Sequence, residues 1–86
     1  MNALQDIKRE LQAIPSISVS EKGGHAAFLY AHSARRAVEV YPDGQTDFVV
    51  ECWDSADKSS DDPPVGEEIV PSVAAAVAKV TAWLVA

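Results

Sequence analysis

The side chains best suited to chemistry in this sequence are two histidines, one cysteine and a dense set of acids. His25 and His32 stand seven residues apart, at opposite ends of one predicted strand, and Cys52 is distant from both along the chain. This spacing lacks the close ligand pairs of a zinc site, and it does not indicate a Cys–His nucleophile pair. We therefore predict no metal site, no cofactor and no catalytic residue, and we expect a protein that is not an enzyme.

The acids are concentrated in one segment of the chain. Residues 43–68 hold nine of the 13 Asp and Glu residues and one base, Lys58, so this segment carries a charge of −8. Its Asp-rich stretch lacks the alternating ligands, central Gly and terminal Glu of an EF-hand loop. Nucleic-acid binding needs a basic patch, and we expect none. The charge favours a basic protein partner, or it only keeps a small domain in solution.

Length and composition predict one small domain over residues 1–86. The chain has 86 residues, of which 48% are hydrophobic, and a single cysteine that excludes an internal disulfide and suits a reducing compartment. The first residues form a charged amphipathic pattern with no apolar signal segment, and no run approaches the roughly 20 apolar residues of a membrane span. We expect a cytoplasmic protein that does not bind membranes.

Residues 36–53 predict a β-hairpin around which the sheet is built. Residues 42–44, Pro-Asp-Gly, predict a three-residue turn because proline presets φ and glycine can adopt the left-handed conformation. This turn pairs Tyr41 with Gln45. One face of the hairpin is then apolar and must be buried; it consists of Val38, Val40, Phe48, Val50 and Cys52.

The other face of the hairpin is the predicted partner-binding site. It is formed by Glu39, Tyr41, Asp47, Glu51 and Trp53, with Asp54 next along the chain. Tyr41 and Trp53 are aromatic residues of the kind enriched at interface hot spots. The predicted register opposes Glu39 with Asp47, an unfavourable pair that a cation from a partner would relieve, and it lets Arg35 pair with Glu51. Alternatively, the 54–64 loop half-covers this face, with Trp53 beneath it.

Helices are predicted at both ends of the chain. Apolar residues at helical spacing predict a helix over residues 3–13, and Ser72 is the expected N-cap of a second helix over 72–85, with an apolar stripe at Val73, Val77, Val80 and Leu84. Shorter alternating patterns predict strands near 17–20, 25–31 and 65–70, the second interior and the last at an edge. The fold class is α+β: an antiparallel sheet of four to five short strands, with both helices packed on one face.

The segment VEVYPDGQTDFVVECWD, followed by a polar loop and a C-terminal helix ending in AWL, resembles small bacterial immunity proteins of polymorphic toxin systems. It is most similar to the type called TriTu, over about residues 36–85. The resemblance implies a non-enzymatic protein that binds and blocks a cognate toxin, such as an ADP-ribosyltransferase. The family supplies no catalytic motif to carry over, so the site residues above rest on the hairpin alone.

Two functions follow from these observations. The first is an inhibitor-type binding module, a monomer whose acidic surface occupies a basic active-site cleft on a toxin. The alternative is a small acidic chaperone or homodimeric scaffold that uses the apolar C-terminal helix as its interface. Lys79 is the only charged residue between Pro71 and Ala86, which indicates a helix that is deeply packed or covered by a partner.

Overall fold

The structure, a computed structural model, describes residues 3–57 and 61–85. In this part of the chain, one helix precedes a series of strands and a second helix follows them. The elements are α1 (Ala3–Gln12), β1 (Ser18–Lys22), β2 (Phe28–His32), β3 (Ala37–Asp43), β4 (Asp47–Trp53), β5 (Gly66–Val70) and α2 (Val73–Leu84), with a short 3-10 turn at Gly24–Ala26. The predicted α+β class, with one helix near each end, is confirmed.

The strands of the described chain form one antiparallel sheet in which each strand pairs with the next in sequence, in the order β1-β2-β3-β4-β5. Strand β2 is interior and β5 lies at an edge, as predicted. Gly23 permits the turn after β1, because it has φ +88° and a Cβ there would lie 2.5 Å from the carbonyl oxygen of Ala26.

Both helices cover the same side of the sheet and contact each other. The predicted apolar face of the hairpin is confirmed, since none of its five side chains is more than 4% exposed. Helix α1 contributes Leu4, Ile7 and Leu11 to this core, and α2 contributes Ala76, Val80 and Leu84. Val77, part of the predicted stripe of α2, is only partly buried because Ala76 occupies the inward position.

Helix α2 begins where the sequence indicates. The hydroxyl of Ser72 accepts a hydrogen bond from the backbone N–H of Ala75 at 3.1 Å, so Ser72 is the N-cap. The helix is tied to the sheet edge by an ion pair of 3.2 Å between Lys79 and Glu68.

The predicted register of the central hairpin is wrong. Strands β3 and β4 pair Tyr41 with Val49 instead of Gln45, and the turn lies at 44–46. Pro42 is part of β3, opposite Phe48, and Gly44 begins the turn with φ +70°. Each residue of β3 therefore faces a partner four positions further along β4 than predicted. Because four is an even number, every side chain stays on its predicted face.

Candidate binding face

The predicted site lies on the side of the sheet that points away from the helices, which we call the open face. Side chains alternate between the two sides of a strand, so the register assigns the members of this face. They include Phe28, Tyr30, Glu39, Tyr41, Asp47, Val49, Glu51, Glu67 and Ile69.

Three glutamates of the open face lie side by side on adjacent strands. Glu39 on β3 is directly opposite Glu51 on β4, and Glu51 is directly opposite Glu67 on β5. Opposed residues of antiparallel strands have Cβ atoms about 4.5–5.5 Å apart, so the three side chains form a line across the sheet. We call this line the Glu row.

The Glu row replaces the charge pairs expected from the sequence. The opposition of Glu39 to Asp47 is wrong, because Asp47 pairs with Asp43 beside the turn. The pairing of Arg35 with Glu51 is also wrong, since Arg35 precedes β3 and Glu51 faces Glu39. Like charges do oppose one another on this face as predicted, although between different residues.

An apolar row borders the Glu row and consists of Phe28, Tyr41, Val49 and Ile69. The rings of Phe28 and Tyr41 stack with centroids 4.8 Å apart. Val49 lies between Tyr41 and Ile69 in the register, and the Ile69 side chain is 60% exposed. The open face therefore places carboxylates next to accessible apolar area.

Tyr41 connects the two rows. Its hydroxyl donates a hydrogen bond to the carboxylate of Glu39. Burial raises the pKa of Tyr41 well above its ordinary value, and the hydrogen bond to Glu39 and the charges of Glu39 and Glu51 raise it further. The phenol therefore keeps its proton at neutral pH and continues to donate to Glu39.

Trp53 lies on the same side of the sheet but is covered. Its side chain is only 6% exposed, and its Nε1–H donates to the backbone oxygen of Asp62 at 2.9 Å. The hydroxyl of Tyr30 donates to the backbone oxygen of Ala56 at 3.4 Å. The backbone at Ala56 and at Asp62 thus covers one end of the open face, in agreement with the alternative interpretation. Asp54 stays exposed, whereas Trp53 can contact a partner only if this segment moves.

Helix α2 contacts the backbone of Trp53. The indole N–H of Trp83 donates to the backbone oxygen of Trp53 at 2.9 Å. The guanidinium of Arg36 lies 4.3 Å from the centroid of the Trp83 ring and donates to the Trp83 backbone oxygen at 3.2 Å. These contacts link residues far apart in sequence, and no local pattern predicts them.

Five of the open-face residues named above were not predicted as site residues, namely Phe28, Tyr30, Val49, Glu67 and Ile69. Alternation within β2, β4 and β5 gives their faces, which is a signal present in the sequence. The strand order that places them beside Glu39 and Tyr41 is a tertiary property. The sequence therefore supplied the orientation of these side chains but not their neighbours.

The residues considered for chemistry are dispersed in the structure. Burial raises the pKa of the Cys52 thiol, with opposing effects from Lys79 and Glu68. His32 packs against Tyr30 with ring centroids 5.5 Å apart, and His25 lies in the exposed turn before β2. Among residues 3–57 and 61–85, no three His, Cys, Asp or Glu side chains form a group that could hold a metal ion. Neither helix in these two ranges has the length and apolar character needed to cross a bilayer.

Comparison with protein-family models, with curated proteins and with solved structures finds no match to this chain. The resemblance to immunity proteins therefore stays a prediction.

Proposed function

We propose that this protein is a non-enzymatic binding module of the immunity type, which neutralises a toxin by covering a basic surface or active-site cleft. The observation that carries the proposal is the Glu row beside the apolar row on the open face. A basic surface placed there meets three aligned carboxylates, and apolar contacts next to them exclude water from the charge pairs.

Electrostatics favours a cationic partner for this face. Like charges directly opposite one another are unfavourable in a sheet, and a cation supplied by a partner beside the Glu row would offset their repulsion. The segment 43–68, which contains β4 and the first three residues of β5, carries a charge of −8. A charge of this size attracts a basic partner over a distance of about a Debye length and speeds association.

Tyr41 is the residue best placed to supply affinity. Its ring is stacked on Phe28 and its hydroxyl is bonded to Glu39, so its rotamer is fixed before binding. A side chain that is already ordered loses less conformational entropy when it becomes buried in an interface. Tyr41 and the Glu row therefore form the centre of the proposed interface, with Asp47 and Asp54 at its rim.

The protein would act in the cytoplasm as a monomer. A single reduced cysteine suits that compartment, and Cys52 is buried within the core. The toxin would be held there before it can reach its substrate, which is how an immunity protein protects the cell that makes both.

Co-expression in bacteria tests this function. The product of the neighbouring reading frame should stop growth when expressed alone, and this protein should restore growth. A variant with Glu39→Gln, Glu51→Gln and Glu67→Gln should fail to protect. The matched control carries Glu10→Gln, Glu21→Gln and Glu68→Gln, which remove the same charge away from the open face. Equal protection by both variants, or a neighbouring product that is harmless, would contradict the proposal.

The alternative function, a homodimeric scaffold or chaperone, has one structural observation in its favour. A shallow groove between α1 and α2 is lined by Glu10, Val73, Ala74, Val77 and Ala78 and is mostly apolar. A second copy could pack its helices there. Analytical ultracentrifugation at micromolar concentration separates the two functions. A dimer that is dissociated by Ala78→Glu would support the scaffold, and a monomer would support the inhibitor.

A further inference from the structure

We infer that the partner adds a β-strand to the outer edge of β5, so that the sheet continues into the partner and a basic side chain extends the Glu row. This inference rests on the proposed function and specifies how the same face is recognised. The partner is an extended segment with lysine or arginine opposite Glu67.

Strand β5 has the properties of an edge that can accept another strand. It is the last strand in the sheet order and pairs with β4 alone in the described chain. Its first four residues, 66–69, are exposed, which leaves the backbone beside them accessible. An edge strand presents outward N–H and C=O groups that a further strand can bond, and 66–70 contains neither proline nor lysine to prevent this.

The opposite edge of the sheet is less suited to the same role. Strand β1 ends in Lys22, and lysine is a residue that protects natural sheet edges from further pairing. Helix α1 also packs against β1, where the side-chain amide of Gln5 donates to the carboxylate of Glu21. A basic strand would be repelled by Lys22, whereas it would be attracted by Glu67.

The charges of β5 select against a second copy of the same chain. Full antiparallel pairing of two β5 strands would place Glu68 directly opposite Glu68 of the copy, and in-register parallel pairing would oppose both glutamates. The same charges favour a basic strand. Glu68 already binds a cation on the helix side, since it pairs with Lys79, and Glu67 offers the equivalent contact on the open face.

The side chains of β5 also indicate a pattern for the incoming strand. On the open face, Glu67 ends the Glu row and Ile69 ends the apolar row. A residue opposite Glu67 should therefore be basic, and the residue opposite Ile69 should be apolar. Binding would then cover Ile69, which is 60% exposed in the isolated domain.

A synthetic peptide tests the inference without the natural partner. The probe is a seven-residue peptide with valine at its centre, lysine two residues to either side and threonine elsewhere, so that lysine and valine lie on one face and can oppose Glu67 and Ile69. The control peptide has the same side chains with every backbone nitrogen methylated. The lysine–valine peptide should slow amide hydrogen exchange in 66–70 by about tenfold or more at saturation, because new strand bonds protect the edge. The methylated peptide should leave this exchange unchanged.

Two charge-reversed variants locate the binding edge. Glu67→Lys should weaken peptide affinity by about tenfold, whereas Glu21→Lys, which changes the charge equally at the other edge, should weaken it less than about threefold. Circular dichroism of both variants checks that the fold is kept. The inference is overturned if the peptide fails to bind, if the methylated peptide binds equally well, or if protection appears in 18–22.

These results are separable from the test of function. A toxin that is neutralised through the Glu row while exchange in 66–70 stays unchanged would overturn strand addition and leave the inhibitor function intact. Loss of protection by the Glu row variant is measured in cells and does not depend on the peptide.

Discussion

Tyr41 and Glu39 stand two residues apart on β3, and the hydroxyl of the first donates a hydrogen bond to the carboxylate of the second on the open face. The ring of Tyr41 also stacks on the ring of Phe28. This arrangement orders one aromatic and one acidic side chain before any partner arrives. It also couples the ionisation of Tyr41 to the stability of the fold.

The coupling predicts a loss of stability at alkaline pH. Up to about pH 10 the phenol is protonated in both folded and unfolded chains. Above that pH the unfolded chain loses the proton while the folded chain retains it, because burial and Glu39 raise the pKa of Tyr41 in the folded state. The free energy of unfolding therefore falls as pH rises beyond 10. Urea unfolding between pH 8 and 12 measures this change. The free energy of unfolding of Tyr41→Phe should fall less steeply with pH than that of the natural protein, and identical slopes would contradict the prediction.

Phe48→Ala should lower the free energy of unfolding by about 3–5 kcal/mol, because it removes a large side chain from the core and leaves a cavity. Val49→Ala, one residue further along on the open face, should cost less than about 1.5 kcal/mol because Val49 is only partly buried. Chemical denaturation measures both values. Similar costs at the two positions would mean that the faces of β4 are assigned incorrectly.

Glu67→Gln should raise the free energy of unfolding by a few tenths of a kcal/mol, because it removes one of the opposed like charges of the Glu row. Glu68→Gln, on the same strand, should not stabilise the fold, since it removes the ion pair with Lys79. The difference between the two variants should shrink in 1 M NaCl as screening weakens both effects. Thermal unfolding at low and high salt provides the measurement.

Trp53→Phe should loosen the segment that follows β4, because phenylalanine cannot donate to the backbone oxygen of Asp62. Amide hydrogen exchange in 54–57 should accelerate severalfold, while exchange in β3 stays nearly constant. The control is Trp83→Phe, which removes a bond of the same kind to the backbone of Trp53 and leaves the Asp62 contact in place. Equal acceleration in both variants would argue against a specific role for the Trp53 indole.

Charge and aromatic contacts should affect different rate constants of toxin binding. Glu51→Gln combined with Asp54→Asn should slow association and reduce its dependence on salt, because charge steering acts before contact. Tyr41→Ala should speed dissociation and cost about 2 kcal/mol or more of binding free energy. Stopped-flow kinetics with the purified toxin measures both. Glu10→Gln, on α1, is the control and should leave both constants nearly unchanged.

The alternation of side chains made the faces of the hairpin predictable, but its register required information from another strand. Proline is favoured in turns, and residues 42–44 predict one. Strand β2, however, pairs with β3 only as far as Val40. At Pro42 the strand has a neighbour on one side alone, so the missing N–H does not break the sheet. The strand can therefore continue through Pro42 to Asp43.

The buried position of Trp53 depended on tertiary contacts in the same way. Its alternation with Glu51 indicates the open face, and only the returning loop and its carbonyl at Asp62 show that the indole is covered. The buried side of α2 was hard to predict for a different reason. A helix that is apolar almost all round has a weak directional pattern, so periodicity did not distinguish Ala76 from Val77.

The succession of neighbouring strands has a consequence for how the chain is made. The sheet can assemble hairpin by hairpin as it leaves the ribosome, because every strand partner is the next strand in sequence. The two helices cannot assemble in this stepwise way, since α1 precedes and α2 follows all of the described strands and the two helices contact each other. Until α2 emerges, part of the apolar surface of the sheet stays in contact with water and is open to aggregation. A ribosome that stops just before Val73 would release all five described strands with only one of the two helices that cover them.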